Sequence, residues 1–383
     1  MKILHITDAA SGGVLTSLTA LARNQAAHPE VSAVGVRYTP RADSPSRNHI
    51  AAGLGPMVDL HCWSPGPGST VLTLIKGIIR ELREDWDLIH LHSSRAGFLG
   101  RILALAVPSH AHLVYSPHGF SFNQTGYPQF QLRIFKLLER IALLGSRDLA
   151  LVSPGEAELA AEVLPGVRTA ILANAVDPEL FAPKDSPGLT SRPPAPLSVI
   201  QVGRIMSQKR PELFAEVARL AEIRYPGSFT FTWIGEGERN LLSACPEISI
   251  TGWITGEEIR SHLSNAALML FTSAGEGMPM SLLEAASAGV PTVGSDVIGV
   301  RDLIDHRVDG MLFRTADEAV DALFTLTDAD IRSSMAAAAR RRVLLKHNES
   351  TLASNSLQVY RKFMTPASVA ESAAVSNAGS RAS

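Results

Sequence analysis

The chain has 383 residues, 45% of them hydrophobic and 19% charged, with a formal net charge of −2. That length suits two domains of ordinary size, and the charge balance excludes nucleic-acid binding driven by overall charge. Cys62 and Cys245 are the only cysteines, which excludes a disulfide framework or a zinc cluster and leaves two small buried side chains in a reducing compartment.

The first apolar run, residues 2–7, stops at Asp8, too early for a signal-peptide core. Nowhere do about 18 apolar residues follow one another, so no spanning helix is expected. The expectation is a cytoplasmic protein that meets a membrane, if at all, from that side. Strands are predicted at residues 2–7, 31–36, 87–92, 112–115, 148–152 and 169–172, with helical patterns between them such as 15–26 and 71–82. Strands alternating with helices predict crossover units and a parallel sheet. Residues 181–196 break the rhythm with Pro183, Pro187, Pro193, Pro194, Pro196 and Gly188, the composition of a linker. Alternation restarts at 198–202, 229–234, 248–251, 268–272 and 291–294, predicting a second doubly wound α/β domain. Residues 367–383 are rich in Ala and Ser and are expected to be a disordered tail.

Three motifs carry chemistry. The first strand runs into Ser11-Gly12-Gly13 and then a helix. Such a turn lets backbone approach a ligand, and the helix start attracts anions. Strand 198–202 ends at Gly203, followed by Arg204 and, five residues on, Lys209. These cations sit at the edge of the sheet where open α/β folds bind ligands, and they suit a diphosphate. Strand 268–272 leads into Ser273-Ala274-Gly275-Glu276-Gly277-Met278-Pro279, with Glu284 about one turn into the next helix. One carboxylate is placed for a sugar and the other for a ribose.

Three further patterns have competing readings. Asp85-Trp86-Asp87 and Asp328-Ala329-Asp330 resemble metal-holding D-x-D tripeptides, but capping is the reading taken, and no metal is expected because the two cations face the phosphates. His90 and His92 share one strand face, and His92 stands beside Ser93, Ser94 and Arg95. His92, Ser93 and Arg95 are therefore candidate acceptor contacts, with a structural role for the histidines as the alternative. The helix at 129–147 carries Arg133, Lys136, Arg140 and Arg147 as a basic stripe. The reading taken is a core helix covering the sheet with its charges in solvent; a peripheral membrane contact is the other.

The glycine turn, Ser116-Pro117-His118-Gly119, Asn174-Ala175-Val176-Asp177, Val202-Gly203-Arg204 with Lys209, Gly235-Glu236-Gly237 and the Glu276/Glu284 spacing together resemble the retaining glycosyltransferases of family 4 type with the GT-B fold. Residues 115–122 also resemble members that assemble bacterial surface polysaccharide. The resemblance implies two Rossmann-like domains facing each other across a cleft: an acceptor domain at 1–180, the linker at 181–196, a nucleotide-sugar domain at 197–349, and a helix at 350–366 crossing back to the first. It implies that Arg204 and Lys209 hold the donor diphosphate and stabilise the leaving group, and that Glu284 binds the ribose. Glu276, Gly277 and Met278 then position the donor hexose, His118 lies near the transferred sugar, and Gly13 lies beneath the diphosphate. The partners implied are a nucleotide-diphosphate sugar as co-substrate, with UDP-sugars commonest, and an acceptor such as a lipid-linked precursor. No cofactor and no nucleic acid are expected. Two departures stand out: Met278-Pro279 follows Gly277 where the family often has Phe-Gly, and Ala175 replaces the usual glycine after Asn174. A sugar-nucleotide epimerase on the same fold and a catalytically silent partner subunit are the alternatives; the full set Arg204, Lys209 and Glu284 argues against silence. A glycosidase reading of the two glutamates leaves the phosphate-binding features unexplained.

Overall fold

A computed structural model describes residues 1–64, 70–183, 196–242, 245 and 247–365. Most of the expected linker, 184–195, and the expected tail lie outside the described residues. The first half contains β1 (Lys2–Thr7), α1 (Gly12–Ala26), β2 (Ala33–Tyr38), α2 (Arg47–Leu54), β3 (Val58–Cys62), α3 (Thr70–Glu81), β4 (Leu88–His92), α4 (Ser94–Leu103), β5 (His112–Ser116), α5 (Gln129–Ala142), β6 (Asp148–Leu151), α6 (Pro154–Val163) and β7 (Arg168–Ile171). The second contains β8 (Leu197–Val202), α7 (Pro211–Arg224), β9 (Phe229–Ile234), β10 (Ile248–Ile250), α8 (Gly256–Asn265), β11 (Leu268–Phe271), α9 (Met280–Ser287), β12 (Thr292–Ser295), β13 (Gly310–Phe313), α10 (Ala316–Thr325), α11 (Ala329–Lys346) and α12 (Leu352–Met364).

The strands form a seven-stranded sheet in the order β3-β2-β1-β4-β5-β6-β7 and a six-stranded sheet in the order β10-β9-β8-β11-β12-β13. Every pairing is parallel. Parallel strands need crossover connections, so both faces of each sheet are covered by helices. In each sheet the direction of winding reverses once, between β1 and β4 and between β8 and β11. Loops leaving the carboxyl ends of those two strands splay apart, which is where such sheets hold ligands.

Several strand limits differ from the sequence reading. β2 starts two residues late because the amide of Val31 closes a turn onto the carbonyl of His28 at 3.0 Å, and the ladder begins only at Ala33. β3 and β13 were not anticipated; both are outer strands, and β13 is a short run without alternation. Asp85-Trp86-Asp87 does not cap a helix. Asp87 Oδ2 accepts from the Lys2 amide at 2.7 Å and Asp85 pairs with the Lys2 ammonium, anchoring the start of β1. Asp328 does cap α11, accepting from the amides of Asp330 and Ile331. Cys245 is buried, whereas Cys62 is only half-buried.

The largest correction concerns α5. It is not a core helix: only Glu139 and Ala142 are buried. Phe130 is 60% exposed and Leu137 55%, and Ile134, Ile141 and Leu144 are exposed beside them. Residues 130, 134, 137, 141 and 144 recur at helical spacing and form one face. Glu139 lies on the inward side. Its carboxylate is drawn in by the buried Arg101 guanidinium at 2.6 Å and the Tyr115 hydroxyl at 3.0 Å, beside Phe135 and Leu143, which pack on the core of the first half, so the helix turns one apolar side to the protein and a second to solvent.

α12 packs on the first sheet. Its Leu357, Tyr360 and Phe363 are buried with Ile3, Leu88 and Val114. His5 lies opposite His90 in the β1–β4 register, so His5, His90 and His92 share the face that α1 and α12 cover.

Candidate functional site

The second sheet supplies two cations at its switch point. β8 ends at Gly203, whose φ of 145° only glycine adopts readily. A Cβ there would stand 3.2 Å from Lys209 Cε, so the lysine stem lies directly across the glycine. Lys209 sits in a one-turn helix at Ser207–Lys209. That turn is bound to the loop after β11: the Ala274 amide donates to the Gln208 carbonyl at 2.8 Å, and the Thr272 hydroxyl donates to the Lys209 carbonyl at 2.7 Å. Lys209 Nζ then meets Glu276 Oε1 at 2.8 Å and lies 4.9 Å from the centre of the Phe271 ring. Arg204 pairs with Asp43, a residue of the first half that the sequence reading passed over. Burial raises the Asp43 carboxyl, but hydrogen bonds from Ser11 and Arg204 outweigh it and hold the group below its ordinary value.

α9 begins after Pro279 with no side-chain cap and no acidic residue in its first turn, leaving its first amides free for an oxygen ligand. Glu284, one turn in, is half-buried. Burial pushes its carboxyl up to about 7, with Arg260 opposing. A hollow of about 600 Å³ is lined by Asp296, His306, Arg307 and Arg314 beside the outer strand β13, away from both switch points.

The first sheet offers a different surface. Asp8, 1% exposed at the end of β1, accepts from the Ser93 hydroxyl and pairs with Arg41 at 2.7 Å and Arg95 at 3.5 Å. Ser93 and Arg95 are thus organised by a carboxylate that sequence reasoning used only as the end of an apolar run. The available signal was its position: the first polar residue past a strand at the switch point. His92 does not reach the cleft. It is buried, and its ring nitrogens meet His5 and His118 at 2.9 Å each; strand alternation turns it inward, behind His118. The His118-Gly119 turn carries φ values of 54° and 101°. Glu156 holds it, accepting from the Gly119 amide at 2.7 Å and the Val152 amide at 3.0 Å. Burial raises the Glu156 carboxyl to about 7, with those amides opposing.

The two surfaces meet. A Cβ on Gly277 would lie 2.9 Å from the Gly119 nitrogen, 2.9 Å from Val152 Cγ2 and 3.0 Å from the His118 carbonyl carbon, so the loop after β11 abuts the histidine turn closely. Asn174 donates to the Met278 carbonyl at 2.8 Å and accepts from the Ser17 hydroxyl at 2.6 Å, tying that loop to α1. Gly13 lies across from Met280, with its Cβ position 3.7 Å from the methionine Cγ. The structure therefore brings Gly13, His118, Arg204, Lys209, Glu276, Gly277 and Met278 to facing loops. Glu284 sits one turn further along α9.

Residues 11–180 match the family model described as Glycosyltransferase Family 4, and residues 196–328 match the one described as Glycosyl transferases group 1. An Escherichia coli UDP-Gal:alpha-D-GlcNAc-diphosphoundecaprenol alpha-1,3-galactosyltransferase is 29% identical over 283 residues, 68% of this chain and 72% of the relative. Among solved structures, the sucrose-phosphate synthase of Thermosynechococcus elongatus superposes with a TM-score of 0.79 at 18% identity, covering 95% of this chain and 99% of that one. Anabaena HepE in complex with UDP-glucose superposes at 0.74 and 18% identity, covering 95% and 99%.

Proposed function

The chain belongs to the family 4 type of glycosyltransferases with the GT-B fold, and on that premise we propose that it is a retaining hexosyltransferase that takes its sugar from a UDP-sugar and delivers it to a lipid-linked precursor of surface polysaccharide. One observation carries the donor side: Arg204 and Lys209 stand together at the switch point of the second sheet, each matched to a carboxylate. A diphosphate displaces Asp43 and Glu276 from these cations and takes the same geometry with more charge. Glu276, released from Lys209, turns to the hexose, and Glu284 binds the ribose. Negative charge grows on the departing phosphate, and the fixed guanidinium and ammonium stabilise it without a divalent metal. The acceptor hydroxyl attacks on the face the phosphate leaves, and the phosphate oxygen takes its proton. The UDP-glucose named in the HepE complex and the UDP-Gal named in the Escherichia coli relative support the choice of base.

The lipid-linked acceptor is supported by the same relative's name, which specifies a sugar on diphosphoundecaprenol. It is supported independently by α5. Its exposed apolar row, with Arg133 and Lys136 on the same helix, suits shallow insertion among anionic headgroups. No helix among the described residues is long and apolar enough to cross a membrane, so the proposed contact is peripheral. The test supplies the protein with UDP-, GDP- and ADP-hexoses and a polyprenyl-diphosphate sugar in anionic vesicles, and reads the product linkage by NMR. The expected result is transfer from a UDP-hexose with the donor's anomeric configuration kept. An inverted product, or transfer only from the other bases, contradicts the reading.

A further inference from the structure

His118 is the outermost member of a buried polar network whose hydrogen positions can be solved from its two ends. At one end, the Ser356 hydroxyl donates to the Ala353 carbonyl at 2.7 Å. Its oxygen must therefore accept from Gln25, 2.8 Å away, so the amide nitrogen of Gln25 faces Ser356. The same nitrogen donates to Tyr360 Oη at 3.1 Å. At the other end, the Ser116 hydroxyl donates to the Ala150 carbonyl. His90 Nε2, 2.8 Å from Ser116 Oγ, must then carry hydrogen, which leaves His90 Nδ1 bare. Tyr360 donates to that bare nitrogen at 2.9 Å and so has to accept from Gln25. Both ends require the same orientation of the Gln25 amide.

That orientation turns Gln25 Oε1 toward His5 Nε2 at 2.7 Å, so His5 Nε2 carries hydrogen and His5 Nδ1 does not. His92 Nε2, 2.9 Å from His5 Nδ1, is then the donor, and His92 Nδ1 is bare. His118 Nε2, 2.9 Å from His92 Nδ1, must donate in turn. The argument holds for neutral rings. Burial lowers His5 and His118 to about 4 and takes His92 and His90 well below their ordinary value.

We propose that Gln25 is a positioning residue for the site: through His5 and His92 it fixes the hydrogen of His118 on Nε2, and so presents His118 Nδ1 as an acceptor for a hydroxyl of the transferred sugar. Only the last clause rests on the proposed sugar transfer. The competing use of the cluster is a metal ion, since His5, His90 and His92 each offer an atom within 4.8 Å of the others. Against it, all six ring nitrogens of these three residues already face a hydrogen-bond partner.

The test uses the full chain labelled with ¹⁵N-histidine, with the His118 signals assigned by His118→Gln. Long-range ¹H–¹⁵N spectra of the wild type should show hydrogen on His118 Nε2 and none on Nδ1, with no change on adding EDTA. Gln25→Met, of similar size but with no acceptor, should give His118 a mixture of the two forms. It should lower kcat about tenfold, roughly the worth of one hydrogen bond, with nucleotide Kd unchanged. Hydrogen on His118 Nδ1 in the wild type, signals that move with EDTA, or a His118 spectrum indifferent to Gln25→Met would each overturn the proposal. If Gln25→Met does not fold, the wild-type spectrum decides alone. The expected spectrum in a protein that transfers no sugar would sink the proposed function and leave the relay standing.

Discussion

The two sides of the cleft hold their polar groups in different ways. On the second half's side, Arg204, Lys209 and Glu276 leave two neighbouring strand ends; Lys209 pairs there with Glu276, and Arg204 pairs with Asp43 of the first half. On the first half's side, His118 is backed by His92, His5 and Gln25, then by Ser356 and Tyr360 from α12, all of them buried. Lys209–Glu276 is the more enclosed of the two pairs, and a half-exposed pair such as Arg204–Asp43 exchanges partners at small cost, because solvent screens it. A buried, fully satisfied network does not, because each group left unpaired costs about 1–3 kcal/mol. Under the proposed function, the Arg204–Asp43 pair is therefore placed to give way to phosphate, and the histidine network to keep one geometry.

The most damaging test of this division is at the seam. Gly277→Ala puts a Cβ against the backbone of the His118-Gly119 turn, where neither neighbour is a flexible side chain. A misplacement of this size costs about 10²-fold in transfer, while nucleotide binding, whose two proposed cations lie on the second half, should stay nearly intact. Equal loss of both would erase the division. Next in size is Glu284→Gln, measured at pH 8, where a carboxyl raised to about 7 is ionised. Nucleotide affinity should fall about tenfold, as expected for losing a charged hydrogen bond, with kcat at saturating donor less affected; an unchanged affinity removes Glu284 from the ribose.

Asp43→Asn sharpens the comparison from the other direction. It releases Arg204 from its competitor, and nucleotide should bind up to about fivefold tighter, the scale of a half-exposed ion pair. Weaker binding would show that Asp43 orients the arginine for the phosphate instead of holding it back. The smallest effect is on stability. His5, His90, His92 and His118 have lowered values, so their contribution is complete above about 6.5 and is lost as pH falls, when the unfolded chain takes up protons. Glu156 and Glu284, raised to about 7, act oppositely and lose their contribution as pH rises from about 4.5 to 7. Four histidines outweigh two glutamates, so Tm should rise between pH 5 and 6.5. A fall over that window would mean the histidine cluster is charged in the folded protein.

The same division explains what could be read in advance. β1 and β9 were legible to the residue because each carries closely spaced large apolar residues, and the placing of Arg204, Lys209 and Glu276 beside strand ends was legible because glycines mark those ends. β3 carries Asp59 and His61 between its apolar residues, and β13 is only four residues long. Asp8, Asp43 and Gln25 act through partners 20 to 335 residues away, and no local spacing encodes such a pairing. α5 misled for a related reason. Its apolar residues run round most of the helix, and which of them meet the core depends on Arg101 and Tyr115 drawing Glu139 inward.

The central claim is that the second half's two cations, with no divalent metal, carry the charge of the departing phosphate. Its most direct test compares wild type and Arg204→Ala after exhaustive EDTA treatment, measuring kcat for sugar transfer and Kd for the nucleotide in one buffer. The account predicts a fully active wild type and a variant slowed by about 10²–10³ in kcat, with Kd changed far less and Arg204→Lys recovering only part because it lacks the planar fork. A wild type inactive until magnesium or manganese is restored, or an Arg204→Ala variant with unchanged kcat, would contradict it.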